Sequence, residues 1–401
     1  MKLKSSLPFW LIKNGLINSY NSLQEDASCE VLIVGGGITG SLIAHQCIKD
    51  GYDTLLIDKR KIGFGSTSAT TSLLQYEIDV PLVELSARIG KQAAQACYLA
   101  CSKSIDTVHA IAKEVKSKAG FKRKKSLYFA AYKKDVKYLK KEYHARKEAG
   151  FAVDWMQEEE IRQRFDIHKA YGGILSTQGA SMDAYMFTHE LHHFNSKKGL
   201  RVYNNTELLT VLDRKDYSEV TLGTGAKIRT KKIIYCVGYE STAMIKEEFV
   251  NLISTYASVS EINPTAYKPY DELLIWNTAT PYLYLRTTDD GRFLIGGEDE
   301  PFRDPNERDA LIARKQRKLK SQFFKHFPDL DFYPDMTWAG TFGETKDGLP
   351  YIGEHSGFKN SYFVLGFGGN GITFSAVGMD MVSFWLKNQK HPLSEPFGFG
   401  R

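Results

Sequence analysis

Three glycines with a fixed spacing and one later acid are the residues whose types point most directly to chemistry. Gly35, Gly37 and Gly40 have the spacing G-x-G-x-x-G, and Asp58 follows them about 20 residues further on. The first glycine permits a sharp turn, the second permits close approach of a pyrophosphate, and the third permits close packing of a helix on a strand. The acid can accept hydrogen bonds from both ribose hydroxyls. These residues predict a dinucleotide site and leave FAD and NAD both open.

The elements that must position these residues are visible around them. Residues 31–34 (VLIV) form a short apolar run typical of a buried parallel strand, and residues 54–57 (TLLI) form a second one that ends at Asp58. A helical pattern joins the two runs, and its N-terminus directs unpaired N–H groups at a phosphate. Lys59 and Arg60 follow the acid, but a carboxylate at Asp58 repels a 2′-phosphate, which disfavours an NADP-type ligand.

A second loop and a last glycine motif add candidate binding groups. Residues 63–72 (GFGSTSATTS) are rich in glycine and hydroxyl groups and follow the second strand, where ligands bind in open α/β folds. Residues 366–371 (GFGGNG) repeat the G-x-G-x-x-G spacing, but only 30 residues follow Gly371, too few for another βαβ unit. We therefore interpret this motif as a loop that directs a helix N-terminus at developing negative charge, although close packing explains it equally well.

Composition restricts the class of protein. The 401 residues are 42% hydrophobic and 25% charged, typical of a globular chain of two joined domains. Five cysteines without a C-x-x-C pair indicate a reducing compartment, so we expect a cytoplasmic location. No apolar run approaches the ~20 residues of a membrane span, and no metal site is predicted.

The net charge of +6 is concentrated in one region. Residues 113–147 contain fourteen Lys and Arg against three acids. This region could attract an anionic partner, a membrane or nucleic acid. We favour a solvated face, because no aromatic-interleaved nucleic-acid motif accompanies it.

These stretches together resemble the D-amino-acid-oxidase-like FAD oxidoreductases, the family of glycine oxidase, sarcosine oxidase and bacterial amine oxidoreductases. The resemblance covers about residues 29–390, and its most specific parts are TWAGTFGETKDGLPYIG and YFVLGFGGNGITFSAVG. It implies an α/β fold with a Rossmann-like FAD-binding domain, discontinuous in sequence, and an α+β cap built on an antiparallel sheet. The implied division is an N-terminal arm (1–28), an FAD-binding domain (29–80, 170–245 and 335–390) and a substrate domain (81–169 and 246–334).

The resemblance also implies which residues contact FAD. Binding is expected to be non-covalent, because the late cysteine that tethers FAD in sarcosine-oxidase relatives has no counterpart after Cys236. The expected FAD contacts are Gly35, Gly37, Ile38, Thr39, Gly40, Asp58, Lys59, Arg60, Gly65, Ser66, Thr67, Ser68, Leu208, Cys236, Val237, Gly238, Gly340, Gly369, Asn370, Gly371, Ile372 and Thr373.

The implied reaction is removal of a hydride from carbon next to nitrogen, which gives an imine. Glycine-oxidase-like sequences carry two arginines that bind the substrate carboxylate, and the matching positions here are Phe342 and Gly369. Arg286 is a possible substitute, and Tyr282 and Tyr284, with Trp276, are candidate pocket walls. The expected partners are a small-molecule substrate and an electron acceptor, either oxygen or a quinone or protein carrier.

Two other functions stay open at this point. Related flavoproteins that share the core oxidise the C–OH bond of a 2-hydroxy acid or glycerol phosphate. A flavoprotein that binds a partner through its basic 113–147 face is the other alternative, and we do not expect nucleic acid to be that partner.

Overall fold

Two β-sheets organise the chain, and the computed structural model describes residues 1–5 and 7–401. Within these residues the strands, numbered in chain order, are β1 (Ala27–Val34), β2 (Thr54–Ile57), β3 (Leu73–Leu74), β4 (Lys122–Phe129), β5 (Val153–Met156), β6 (Gly173–Ser181), β7 (Arg201–Tyr203), β8 (Leu208–Asp213), β9 (Ser218–Leu222), β10 (Lys227–Tyr235), β11 (Asn251–Ser260), β12 (Leu273–Asn277), β13 (Leu283–Thr287), β14 (Phe293–Pro301), β15 (Pro334–Glu344), β16 (Tyr351–Gly353) and β17 (Ser361–Leu365).

Helices connect and cover the sheets. In the same described residues they are α1 (Phe9–Asn14), α2 (Ile38–Lys49), α3 (Leu82–Ile89), α4 (Lys91–Glu114), α5 (Val136–Glu148), α6 (Glu158–Phe165), α7 (Ala184–Ser196), α8 (Pro264–Tyr267), α9 (Pro305–Ala310), α10 (Ile312–His326), α11 (Gly371–Leu386) and α12 (Ser394–Phe397). Among them we find none whose length and apolar character would let it span a bilayer.

The first sheet has a parallel centre. Its main order is β16-β17-β10-β1-β2-β7, and β1 pairs in parallel with both β2 and β10. The registers place Val34 opposite Ile57 and opposite Tyr235, so these strands end at the same edge. Helices contact the sheet through α2, which also packs against α7 and α11. Strand β2 is fully buried, as its continuous apolar sequence predicts.

The second sheet has the order β15-β11-β14-β13-β12-β4-β6-β3, with β5 paired to β6. It is antiparallel, as predicted, except for one parallel pair, β4 with β12. Helix α10 contacts β11, β14 and β15 and buries Leu319 and Phe323 beneath them. A largely antiparallel sheet with a helix on one face matches the predicted α+β character of this part.

Strands from segments predicted to belong to the FAD-binding domain pair in the second sheet. They are β6, in the predicted 170–245 segment, and β15, nearly all of which lies in the predicted 335–390 segment. Strand β3, inside the predicted 29–80 segment, also pairs there. The physical reason is that sheet membership depends on pairing between distant strands, which local sequence does not report. The division into domains itself stays a prediction.

The basic region is less exposed than predicted. Lys124 lies in β4, is 4% exposed, and donates to Thr287 Oγ1 at 2.9 Å. Burial lowers the pKa of Lys124 to about 7. Arg146, on α5, is fully buried. The interpretation of 113–147 as a solvated helix-and-hairpin face is therefore wrong at these two positions, because β4 lies inside the second sheet and Arg146 packs against the buried Glu142.

Candidate functional site

A cavity of about 1130 Å³ lies along the edge of the first sheet and reaches the second. One wall is made by residues that follow β1, β2, β10 and β17, whose carboxyl ends meet at this edge. Strands β4, β11, β12, β13 and β15 contribute the opposite wall. Because open α/β folds bind ligands at the carboxyl ends of their strands, this cavity is the candidate functional site.

The first glycine turn is packed backbone against backbone. Gly35 has φ +112°, and a Cβ there would lie 2.4 Å from the carbonyl oxygen of Cys236. A Cβ on Gly40 would lie 1.8 Å from the carbonyl oxygen of Gly35. No side chain fits at either position without moving the backbone, so the turn brings α2 directly against the end of β1. This is the geometry that the spacing predicts.

The N-terminus of α2 faces the cavity together with the second loop. Gly37, which precedes α2, has no side chain to cap the helix, and Ile38 N donates instead to Thr67 Oγ1 at 2.9 Å. Ser66–Ala69 forms one 3₁₀ turn that brings Thr67 to this point. A positive helix end beside hydroxyl groups in a glycine-lined recess fits the pyrophosphate of a dinucleotide.

Asp58 is oriented by main-chain donors. Its Oδ2 accepts from Gly36 N and its Oδ1 accepts from Arg60 N, both at 2.7 Å. Burial raises the pKa of Asp58, and the two N–H donors oppose that rise. The carboxylate lies on the cavity wall at the end of β2, where the ribose acid is expected.

An ion-pair group surrounds this end of the cavity, and sequence reasoning missed its central residue, Glu240. Its Oε1 lies 2.9 Å from Lys59 Nζ and 2.8 Å from Arg60 Nη2, and the amino group of Met1 lies 3.0 Å away. Burial alone would raise the pKa of Glu240, but these donors lower it to about 2. The two basic residues thus already pair with an acid, which further disfavours a 2′-phosphate here.

Two indoles position the second loop. Trp10 Nε1, from the N-terminal arm, donates to the carbonyl oxygen of Thr70 at 2.6 Å, and Trp338 Nε1 donates to that of Ala69 at 2.8 Å. Trp10 was not a candidate in the sequence, because nothing local shows that α1 packs beside this loop. The arm therefore supports the cavity wall.

The last glycine loop also faces the cavity, at the end away from Asp58. Helix α11 begins at Gly371, and Asn370 Nδ2 donates to the carbonyl oxygen of Gln75 at 3.0 Å. Gly369 N donates to Asp79 Oδ2 at 2.7 Å. Thr39 and Ser375 share a hydroxyl–hydroxyl bond of 2.8 Å, which ties the first turns of α2 and α11 together. Both glycine motifs therefore direct a helix N-terminus into one cavity.

Most of the predicted cofactor residues line this cavity. Gly40, Ser68 and Thr373 are the exceptions: the glycine packs inside α2, and the two hydroxyls donate to the main-chain oxygens of Gly65 and Asn370. The residues that the structure brings together are Gly35, Gly37, Ile38, Thr39, Asp58, Lys59, Arg60, Gly65, Ser66, Thr67, Leu208, Cys236, Val237, Gly238, Gly340, Gly369, Asn370, Gly371 and Ile372.

Arg286 is not part of the cavity wall. Its guanidinium donates to the carbonyl oxygens of Thr71 (2.7 Å), Met182 (3.2 Å) and Thr287 (3.1 Å). Burial lowers the pKa of Arg286 to about 10. The structure thus uses Arg286 to join three segments and does not offer it to a substrate carboxylate. The other candidates, Tyr282, Tyr284, Phe342 and Trp276, do line the cavity.

Glu77, Asp79 and Glu344 are among the further acids on the cavity wall that sequence reasoning missed. A signal for the first two was present in the sequence. Residues 74–79 (LQYEID) alternate apolar and polar side chains, and this period places alternate residues on one face of an extended segment. The structure confirms that alternation, because the polar residues line the cavity and the apolar ones are buried.

The fold and the site define a class, the flavoprotein-type oxidoreductases that bind a dinucleotide across the edge of a parallel sheet. Residues 30–383 match the family described as FAD dependent oxidoreductase (DAO), and the chain belongs to this family. It is therefore an FAD-dependent enzyme, and the expected cofactor and fold class are confirmed.

Three comparisons illustrate the relationship. The chain is 25% identical over 380 residues to glycine oxidase of Bacillus licheniformis, covering 90% of this chain and 93% of that protein. It is 23% identical over 380 residues to gamma-glutamylputrescine oxidoreductase of Escherichia coli (strain K12), covering 92% and 86%. The crystal structure of glycine oxidase from Geobacillus kaustophilus superposes with a TM-score of 0.77 at 19% identity, covering 93% of this chain and 99% of that one.

Proposed function

We propose that this protein removes a hydride from the carbon next to nitrogen in an amine or amino acid and converts the C–N bond to an imine. The observation that carries the proposal is the single cavity that runs from Asp58 to the N-terminus of α11 and continues between Tyr128 and Tyr282 on the second sheet. One part has the donors of a dinucleotide site, and the other part is lined by aromatic and acidic side chains. The relatives named above support oxidation of amines and amino acids.

The first part of the cavity is assigned to the AMP half of FAD. Asp58 would orient the ribose, the N-terminus of α2 and Thr67 would bind the pyrophosphate, and Leu208, also on the cavity wall, would contact adenine through its main chain. The first sheet with its helices thus forms the cofactor layer, and the second sheet forms the substrate layer. The chemistry that FAD supplies when bound is acceptance of a hydride.

The remaining residues act on the substrate. The N-terminus of α11 stabilises negative charge that develops beside the loop Gly366–Gly371. The second sheet excludes water, because Trp276, Tyr282 and Tyr284 cover this end of the cavity. The substrate nitrogen loses a proton and its carbon loses the hydride, so that a C=N double bond forms. Water then hydrolyses the released imine.

Neither alternative function is favoured by the site. A 2-hydroxy acid and glycerol phosphate carry a net negative charge, which Glu77, Asp79 and Glu344 would repel, whereas these acids attract the ammonium group of an amine or of a zwitterionic amino acid. Lys124 and Arg146 of the basic 113–147 face are buried. Fewer of its charges are therefore available to bind a partner. The acceptor, oxygen or a quinone or protein carrier, and the cytoplasmic location stay predictions. Oxygen consumption compared with reduction of a quinone analogue distinguishes the acceptors.

Anaerobic mixing of the purified holoenzyme with candidate substrates tests the proposal. We expect primary or secondary amines to bleach the visible absorbance of bound FAD, and 2-hydroxy acids or glycerol phosphate to leave it unchanged. Bleaching by hydroxy acids and not by amines would contradict the proposed reaction. A colourless protein that cannot be reconstituted with FAD would contradict the assignment of the cavity.

A further inference from the structure

Residues 1–5 lie along the end of the cavity at Asp58, which we call the nucleotide end, although no sequence motif assigned them to the cofactor site. Met1 and Leu3 line the cavity, and Leu3 is 7% exposed. Lys2, between them, does not line it, and its Nζ lies 2.8 Å from Asp309 Oδ2. Alternate residues of an extended segment lie on opposite faces. This segment therefore presents one of its faces to the cavity.

The main chain of this segment pairs with the edge of β15. Ser5 N donates to the carbonyl oxygen of Ala339 at 2.9 Å, and Thr341 N donates to that of Leu3 at 2.8 Å. Ser5 Oγ accepts from Ala339 N at 3.0 Å. Strand β15 is the last in the order of the second sheet, and the unpaired N–H and C=O groups of an edge strand favour a partner of this kind. These bonds anchor the segment to the second sheet.

Two guanidinium groups hold the remaining carbonyl oxygens. Arg60, which follows β2 of the first sheet, donates from Nη2 to the carbonyl oxygen of Met1 at 2.9 Å. Arg308, on α9, is 1% exposed and donates from Nη1 to the carbonyl oxygen of Lys2 at 3.0 Å. A guanidinium buried to this extent needs acceptors for its N–H groups, and the main chain of Lys2 supplies one. The docked position of the segment is thus built into the fold.

The side chain of Leu3 connects the two walls of the cavity. A Cβ on Gly65, in the second loop, would lie 3.9 Å from Leu3 Cδ1, so the leucine packs against this loop. The main chain of Leu3 is bound to Thr341 of β15 on the other wall. Gly65 and Thr341 both line the cavity. Leu3 therefore encloses the cavity at a point where FAD is expected to lie.

Opening of this segment would leave both sheets in place. Strand β15 would keep its pairing with β11 along its other edge. Helix α1 would stay docked, because Phe9 and Trp10 are buried and Phe9 stacks on Trp338 with centroids 6.4 Å apart. Segments that are held by few main-chain bonds open locally more readily than the core of a sheet. Residues 1–5 can therefore move as a unit.

We propose that residues 1–5 form a strap that closes the nucleotide end of the cavity over bound FAD, with Leu3 as a contact of the cofactor, and that opening of the strap limits the rate at which FAD leaves. The inference goes beyond the proposed reaction, since it concerns retention of the cofactor and holds for any substrate. Because FAD is expected to be bound without a covalent tether, its retention depends on closure of this kind.

Hydrogen exchange of the unaltered protein, with and without FAD, tests the closure. Ser5 does not itself line the cavity, so its amide reports pairing with Ala339 and not contact with FAD. We expect FAD to slow exchange in the peptide that contains Ser5 about tenfold more than in α6, which contributes no residue to the cavity wall. Equal slowing in the two regions would overturn the inference.

Deletion of residues 2–5 removes the strap. We expect the rate of FAD release, followed by the recovery of FAD fluorescence after dilution of the holoenzyme, to rise about tenfold. Leu3→Ala should raise this rate less, by roughly threefold, because it removes only the apolar contact. Leu7→Ala, in the same arm but 63% exposed, is the matched control and should leave the rate unchanged.

Each outcome decides for or against the strap. If residues 1–5 served only to cover the edge of β15, the deletion would lower the melting temperature of the apoprotein and leave the release rate unchanged, which contradicts the inference. An equal rise for Leu3→Ala and Leu7→Ala would also contradict it. Should the deletion variant fail to fold, Leu3→Ala and hydrogen exchange decide. None of these measurements needs a substrate, so an unchanged release rate leaves the proposed amine oxidation intact, and failure of amines to reduce FAD leaves the strap intact.

Discussion

The two ends of the cavity are built on glycine loops of identical spacing, yet they differ in what presses against the glycines. In the first loop a Cβ on Gly40 would meet a main-chain oxygen at 1.8 Å. In the last loop a Cβ on Gly368 or Gly369 would meet the carboxylate of Asp79, at 2.3 and 2.7 Å. Backbone cannot move aside, whereas an aspartate side chain can. The first and third glycines of the last loop, Gly366 and Gly371, also face main-chain oxygens, at 2.6 and 3.0 Å, so Gly368 and Gly369 are the positions that can adapt.

Charge differs between the two ends as well. At the nucleotide end, Glu240 is paired with Lys59, Arg60 and the N-terminus. Around Arg146, two acids, Glu77 and Glu142, pair with one guanidinium at 3.6 and 2.7 Å. Cations thus outnumber the acid at Glu240, and acids outnumber the cation at Arg146. The comparison yields four predictions.

Gly40→Ala should have the largest effect. Its Cβ would force α2 away from β1, and overpacking of this kind costs about 1–3 kcal/mol. We expect FAD affinity to fall by roughly tenfold to a hundredfold, measured by fluorescence titration of the apoprotein. Gly223→Ala, whose Cβ would meet only Glu207 at an ordinary 3.8 Å, is the control. Unchanged affinity in Gly40→Ala would show that the first loop is not rigid.

Arg286→Lys should destabilise the protein without changing the substrate site. Lysine cannot reach all three carbonyl acceptors of Arg286, so we expect a loss of about 2 kcal/mol in the free energy of unfolding, measured by urea denaturation. The KM for amines should not change in the folded fraction. Arg201→Lys, at a partly exposed position, serves as the control. A higher KM for amino acids at unchanged stability would instead place Arg286 in the substrate site.

Asp58→Asn should weaken FAD binding by about tenfold, or ~1.4 kcal/mol. The amide retains one acceptor but loses the charge that strengthens hydrogen bonds from the ribose hydroxyls and from Gly36 N. Equilibrium dialysis measures the change. Asp53→Asn, an exposed acid just before β2, should leave affinity as it is. An equal effect of both variants would remove Asp58 from the ribose site.

Gly369→Ala should have the smallest effect on FAD and a selective effect on substrate. The added Cβ displaces the carboxylate of Asp79, which can rotate away, so FAD affinity should change by less than about 1 kcal/mol. The KM for an amine substrate should rise, because the carboxylate of Asp79 lies on the cavity wall beside the last glycine loop. Steady-state kinetics and FAD titration on one preparation separate the two effects. A loss of FAD affinity as large as that of Gly40→Ala would mean that Gly369 is held as firmly as Gly40.

Much of the fold could be predicted because its signals are local. The apolar runs of β1 and β2, the helix between them and the glycine turn all lie within residues 29–60, and the structure reproduces each. The sequence predicted that the second sheet is antiparallel. It did not predict which strands form this sheet, because β4, β6 and β12 are separated by long stretches of chain and only pairing brings them together.

The candidate site was predicted unevenly for the same reason. Cofactor residues follow from a motif with fixed spacing, and most of them line the cavity. Substrate residues come from several elements without a shared motif. In the sequence, Arg286 looked like a strand arginine available to a substrate. In the structure, three carbonyl groups accept hydrogen bonds from its guanidinium. Glu240 and Trp10 gave no signal, since their roles depend on contacts with remote segments.

The sequence by itself determined that this chain binds a dinucleotide at the turn after Val34, because glycine spacing and a terminal acid act through local backbone geometry. Only the tertiary structure decided that both glycine loops open into one cavity. It also decided that the buried Arg146 is shared between Glu142 and Glu77, because burial and charge balance are properties of packed neighbours.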